Sequence, residues 1–114
     1  MLPNRIKISK QASDAMRTLK GRTGITPNIL CRIALSLSIR DRHALDTQTA
    51  KMDGTEFTLP TLLGDHAVLY ECLLREIHGD LPERDAMRIL VKHIDRGVEM
   101  LRRVKSAGDM LSFL

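Results

Sequence analysis

An alternating run, Arg5-Ile6-Lys7-Ile8-Ser9, leads directly into two short helical patterns, and this order constrains the fold more than any other feature of the chain. Residues i and i+2 share one face of a strand, so Arg5, Lys7 and Ser9 lie on one side and Ile6 and Ile8 on the other. One face is basic, the other apolar. A strand with two apolar side chains and two unpaired edges is not stable alone, so the expected partner is the same strand of a second copy. The product is a two-stranded ribbon with a basic face, of a size that a DNA groove admits.

Ser9 is positioned to cap a first helix whose apolar stripe is Ala12, Ala15, Met16 and Leu19, with Gly21 and Gly24 read as its C-terminal cap and a tight turn. Thr26 then offers an N-cap, and Pro27 occupies the first helical position, where its missing N–H costs nothing. Ile29, Leu30, Ile33, Ala34 and Leu37 recur at helical spacing behind them. Residues 41–53 lack periodicity and read as a loop. Asp53-Gly54 signals a turn, and Thr55-Glu56-Phe57-Thr58-Leu59 before Pro60 reads as a short extended piece, an edge strand at best.

The second half is more plainly helical. Leu69, Leu73 and Ile77 with Tyr70 and Leu74 form a stripe that stops at Gly79. Asp80 and Glu83 are spaced as a capping box around Pro82, opening a long helix with Leu90, Ile94, Val98, Leu101 and Val104 on one face and Gly108 beyond its end. Arg88, Lys92, Arg96 and Arg103 read as a solvated face, because Asp95 and Glu99 interrupt them. The fold expected is mainly α: a single domain over 1–114, with a ribbon-helix-helix-like unit over 1–40, a helical part over 61–114, and self-association.

Charge is segregated along the chain. Residues 1–44 hold nine Lys/Arg against two acids, residues 45–87 three against nine, and residues 88–114 six against three. A polyanion on the N-terminal face is one reading; basic segment against acidic segment within an assembly is the other. No run of eighteen apolar residues is present, and Pro3, Asn4 and Arg5 stand where a signal peptide needs an apolar stretch. A cytoplasmic protein with no membrane partner is therefore expected.

The residue patterns do not point to catalysis. His43, His66, His78 and His93 show no H-x-x-x-H or H-E-x-x-H spacing, and Cys31 and Cys72 are forty-one residues apart, so no metal site, redox motif or cofactor is expected. Cys31 falls among apolar positions and reads as a small buried hydrophobe. The Lys20-Gly21-Arg22-Thr23-Gly24 turn is not a Walker loop, which needs G-x-x-x-x-G-K-[ST]. It leaves Lys20 and Arg22 beside the start of the second helix, where free N–H groups and the helix dipole at Thr26-Pro27-Asn28 favour an anion. The residues expected to bind DNA are Arg5, Lys7, Lys10, Arg17, Lys20, Arg22, Thr26 and Asn28.

The run Leu19-Lys20-Gly21-Arg22-Thr23-Gly24-Ile25-Thr26-Pro27-Asn28-Ile29-Leu30-Cys31-Arg32, with Asn4-Arg5-Ile6-Lys7-Ile8-Ser9-Lys10 ahead of it, closely resembles the E component of the DNA phosphorothioation (DNA sulfur modification) system, the DndE family. The resemblance is strongest over residues 4–40 and continues more weakly through Asp53-Gly54-Thr55-Glu56-Phe57. It implies a non-catalytic, double-stranded-DNA-binding member of a bacterial machinery that replaces a non-bridging phosphate oxygen with sulfur. It also implies a homotetramer, a preference for nicked duplex, and partner proteins that carry the chemistry: a cysteine desulfurase, an iron–sulfur protein and an ATPase. Two other readings compete with it: an assembly adaptor docking on acidic partner surfaces, and a ribbon-helix-helix repressor reading bases through Arg5, Lys7 and Ser9.

Overall fold

The computed structural model describes residues 2–41, 43–46 and 50–113. Ile6 and Ile8 are buried in the chain's own core, and strand β1 (Arg5–Lys7) finds its partner in the same chain. It runs antiparallel to β2 (Glu56–Thr58) with Ile6 opposite Phe57. Hydrogen bonds from Ile8 N to Thr55 O, Gly54 N to Ile8 O and Leu59 N to Asn4 O extend the pairing at both ends. This corrects the expected ribbon between two copies. The segment around β2 satisfies one edge of β1, and the core of the same chain takes both isoleucines. The alternation holds from Arg5 to Ile8, since Arg5 and Lys7 are exposed, but Ser9, expected on the same basic face, is buried because its hydroxyl caps the helix that follows and donates to Asp95.

Helix α1 (Lys10–Thr23) starts where the Ser9 hydroxyl accepts a hydrogen bond from Ala12 N at 3.0 Å. Ala12, Met16 and Leu19 face the core. Gly21 belongs to the last helical turn rather than to the connection, because one left-handed residue is enough to end the helix and Gly24, at φ 75°, supplies it. Helix α2 (Pro27–Arg40) follows, with Thr26 at its N-cap position, and buries Leu30, Cys31, Ala34, Leu35 and Leu37.

The main packing joins the two halves of the chain: α2 lies along the long helix α5 (Glu83–Leu101), which buries Leu90, Val91, Ile94, Val98 and Leu101. The backbones meet at Gly97, where a β-carbon would collide with the carbonyl of Ala34. The capping box expected at the start of α5 does not form. Pro82 takes the cap position without a side-chain hydrogen bond, and the Asp80 carboxylate pairs instead with Arg75 at 3.0 Å. The helix ends at Leu101. Val104 is buried beyond it, and Gly108 lies in a separate 3-10 turn over Ala107–Phe113.

Between the halves, α3 (Leu59–Leu63) packs Leu62 and Leu63 inward, and a 3-10 turn over Gly64–His66 leads to α4 (Ala67–His78). Only part of the α4 stripe is used. Leu74 is buried and Ala67, Tyr70 and His78 are half-buried, whereas Leu69, Leu73 and Ile77 are 55%, 37% and 49% exposed. The basic row on α5 is less solvated than expected: Arg88 and Lys92 are half-buried, Arg88 pairing with Asp85 at 3.0 Å, and Arg96 folds across to the end of α2, donating from Nε to Ser38 Oγ (2.8 Å), from Nη2 to Ser38 O (2.7 Å) and from Nη1 to His43 O (2.8 Å).

Candidate nucleic-acid interface

The N-terminal cations occupy one strand and one helix whose other faces are committed to the core. On β1, Arg5 Nη1 pairs with Glu56 Oε2 at 3.3 Å across the two strands, and Lys7 stands exposed in register with Glu56. A carboxylate of the acidic segment thus caps one of the expected DNA contacts. On α1, Arg17 pairs with Asp14 at 3.4 Å. Such exposed pairs contribute roughly 0–1 kcal/mol, so a phosphate can exchange for either carboxylate at little cost. Lys7, Lys10, Lys20 and Arg22 are exposed and enter none of the described ion pairs.

Spacing of about 100° per residue places Lys10, Arg17 and Lys20 on one flank of α1 and Arg22 on the other. The two cations of the turn therefore diverge. Arg22 Nη1 instead lies 3.5 Å from the carbonyl oxygen of Arg102, just past α5. The two ends of α1 differ in sign. At its start Asp53 Oδ1 accepts from Lys10 N at 2.8 Å and Ser9 Oγ donates to Asp95 Oδ1 at 2.6 Å, while Lys20 and Arg22 occupy its last turn. Both placements complement the helix dipole. Burial outweighs the Ser9 hydrogen bond and holds the Asp95 carboxyl above its usual range.

At the start of α2, Thr26 is exposed and its side chain makes no capping bond. Asn28 is drawn toward α3, donating from Nδ2 to Thr61 O at 3.3 Å. Arg32 joins it, donating from Nε to Leu62 O and from Nη2 to Thr61 O, both at 2.9 Å. Asn28 and Arg32 thus serve the α2–α3 junction, and Thr26 is left to face solvent.

A second polar cluster escaped the sequence reading, because His78 and His93 lie on different helices and no spacing rule links them. Arginine only donates, so Ser38 Oγ accepts from Arg96 and gives its own hydrogen to His93 Nδ1 at 2.7 Å. His93 then carries its hydrogen on Nε2 and donates to His78 Nε2 at 2.9 Å. Every step of this relay is directional. His93 is 1% exposed, and burial, followed by the neighbouring His78 and Arg96, pushes it down to about 4. Burial first and Arg96 second lower His78 as well. The serine is fully buried and already bonded, which suits a structural clamp between α2, α4 and α5. Burial also pushes the Cys31 thiol up to about 12, while Cys72 is exposed on α4. Among the described residues no group of three or more His, Cys, Asp or Glu is placed to hold a metal ion, and no helix is long and apolar enough to cross a membrane.

The architecture is that of a class of small, mainly helical proteins of DNA phosphorothioation. A crystal structure of DndE from Escherichia coli B7A, described as involved in DNA phosphorothioation modification, superposes with a TM-score of 0.80 at 32% identity, covering 86% of this chain and 97% of that one. A crystal structure of a DndE G21/24K mutant superposes with a TM-score of 0.81 at 30% identity, covering 90% and 100%. Residues 5–109 match the family of the DNA sulphur modification protein DndE, and this chain belongs to that family. No curated protein sequence matches it.

Proposed function

We propose that this chain is a non-catalytic DNA-binding subunit of a phosphorothioation system, holding duplex DNA through its phosphates while partner proteins carry the sulfur chemistry. The observation that carries this reading is the set of exposed cations on β1 and α1, Lys7, Lys10, Lys20 and Arg22, none in a described ion pair. Arg5 and Arg17 join them by exchanging weak surface partners for phosphate. Thr26, at the free start of α2, adds an uncharged contact; Asn28 is the weakest of the expected set, because Thr61 already engages it.

Phosphate contacts of this kind bind many sequences about equally and weaken steeply with salt. A nick removes backbone continuity, so a broad cationic surface bends a nicked duplex at lower cost than an intact one. The reading includes association into a homotetramer, which the family resemblance implies; the outward Leu69, Leu73 and Ile77 of α4 supply an apolar stripe that supports self-association. That same stripe is what favours the second reading, an adaptor that docks partner enzymes.

Gel shifts with intact, nicked and scrambled duplexes at two salt concentrations, with light scattering for the mass, test the proposal. The expected outcome is salt-sensitive binding, tightest on nicked DNA and indifferent to sequence, lost on Lys20→Glu/Arg22→Glu. Absence of duplex binding leaves the adaptor. Strong preference for one sequence favours a repressor. Equal affinity for nicked and intact DNA removes the nick preference.

A further inference from the structure

We propose that Arg102, Arg103 and Lys105, at the opposite end of the chain, extend the phosphate-binding surface from Arg22; the inference rests on the DNA-binding reading above. The ends of α1 and α5 converge there. Arg22 Nη1 is 3.5 Å from Arg102 O although eighty residues separate the two. Val104 anchors the segment: it is 1% exposed and its N–H donates to Leu101 O at 3.0 Å, so Arg103 and Lys105 on either side of it stand in solvent. The Asp109 carboxylate holds the Lys105 backbone N–H at 2.9 Å.

Dipole compensation does not account for so many cations. Two helix C-termini present about one negative charge between them, since each is worth roughly half a charge. Glu99, paired with Arg102 at 2.8 Å, adds one more. Asp109, against the Lys105 backbone, adds a third, and the four cations Arg22, Arg102, Arg103 and Lys105 still exceed that demand. A surplus of like charge destabilises the free protein through self-repulsion, and a bound polyanion relieves it. A surface hollow of about 590 Å³, lined by Gln11, Asp14, Thr18, Arg22 and Arg102 among others, lies beside the patch; its one carboxylate, Asp14, is paired with Arg17 at 3.4 Å, which leaves the hollow as a trough for a sugar–phosphate backbone.

The test is fluorescence anisotropy of the full chain on nicked and intact duplex across a salt series, for wild type, Arg103→Gln/Lys105→Gln and the charge-matched control Arg75→Gln/Arg84→Gln. Arg84 lies eighteen residues before Arg102, about 27 Å along α5 at 1.5 Å per residue. Losing two phosphate contacts should flatten the slope of log K against log salt by about 1.8, with weaker binding on every sequence at low salt and convergence with wild type at high salt. The control pair should leave the slope unchanged. An unaltered slope in the first variant, or equal flattening in the control, overturns the inference while leaving the DNA-binding reading intact. If wild type binds no duplex at any salt, that reading fails and this one with it. Circular dichroism melts confirm that each variant is folded.

Discussion

Acid should loosen this protein through His93, and the size of the effect follows from the relay that fixes its tautomer. In the unfolded chain a histidine titrates near its ordinary value, 6.5, whereas the folded state holds His93 at about 4 because burial opposes its charge. A depressed folded pKa gives stability that is complete above 6.5 and is lost as pH falls toward 4. The gap between 6.5 and about 4 makes the full contribution about 3 kcal/mol, of which about 2 kcal/mol is lost between roughly pH 7 and pH 5. The perturbation is His93→Gln, which keeps an acceptor for Ser38 and does not titrate. Urea unfolding followed by circular dichroism at about pH 7 and pH 5 compares the two proteins. The variant is less stable than wild type at neutral pH and flatter with acid. Neighbouring groups do not mimic this difference: His78 titrates in both proteins with the same sign, Asp95 has a raised pKa and works in the opposite direction, and Asp41, lowered by its His43 hydrogen bonds, loses its contribution only below the ordinary carboxylate range. Identical pH slopes in wild type and variant refute the argument.

Three further outcomes follow from packing. Gly97→Ala drives a methyl into the Ala34 carbonyl and should cost about 1–3 kcal/mol by the usual scale of overpacking; an unchanged urea midpoint contradicts the close α2–α5 approach. Gly21→Ala meets nothing within 4 Å in a helical turn and should stabilise the protein by roughly 0.5–1 kcal/mol; a lowered melting temperature contradicts the open space at that position. Thiol titration with an aromatic disulfide should modify the exposed Cys72 promptly and Cys31 only at the rate of unfolding; fast reaction of both rejects the burial of Cys31.

Much of the candidate surface was legible because it is local. A β-strand alternates faces at every residue, so Arg5 and Lys7 were assigned to solvent and Ile6 and Ile8 to the core from spacing alone, and the structure keeps that assignment. Ser9 acts within three residues of the bond it makes, which is why the start of α1 could be read directly, whereas its end was read too early, because Gly21 continues the helix and Gly24 caps it. Sequence pattern also separated the basic first third from the acidic middle, and the motif run across Leu19–Arg32 identified the family.

Tertiary structure decided what depends on partners distant in the chain. The partner of β1 is fifty residues away, and nothing in five alternating residues distinguishes pairing with β2 from pairing with another copy. Periodicity could not say which side of the α4 stripe meets the core, because Leu69 and Leu74 are equally apolar and only the position of α2 and α5 chooses between them. Arg96 and Arg103 occupy one row in sequence, yet one clamps Ser38 and the other meets solvent. Local spacing specifies direction from a helix or strand. Only the packed core specifies what lies in that direction, and hence that Arg22 meets Arg102 and His78 meets His93.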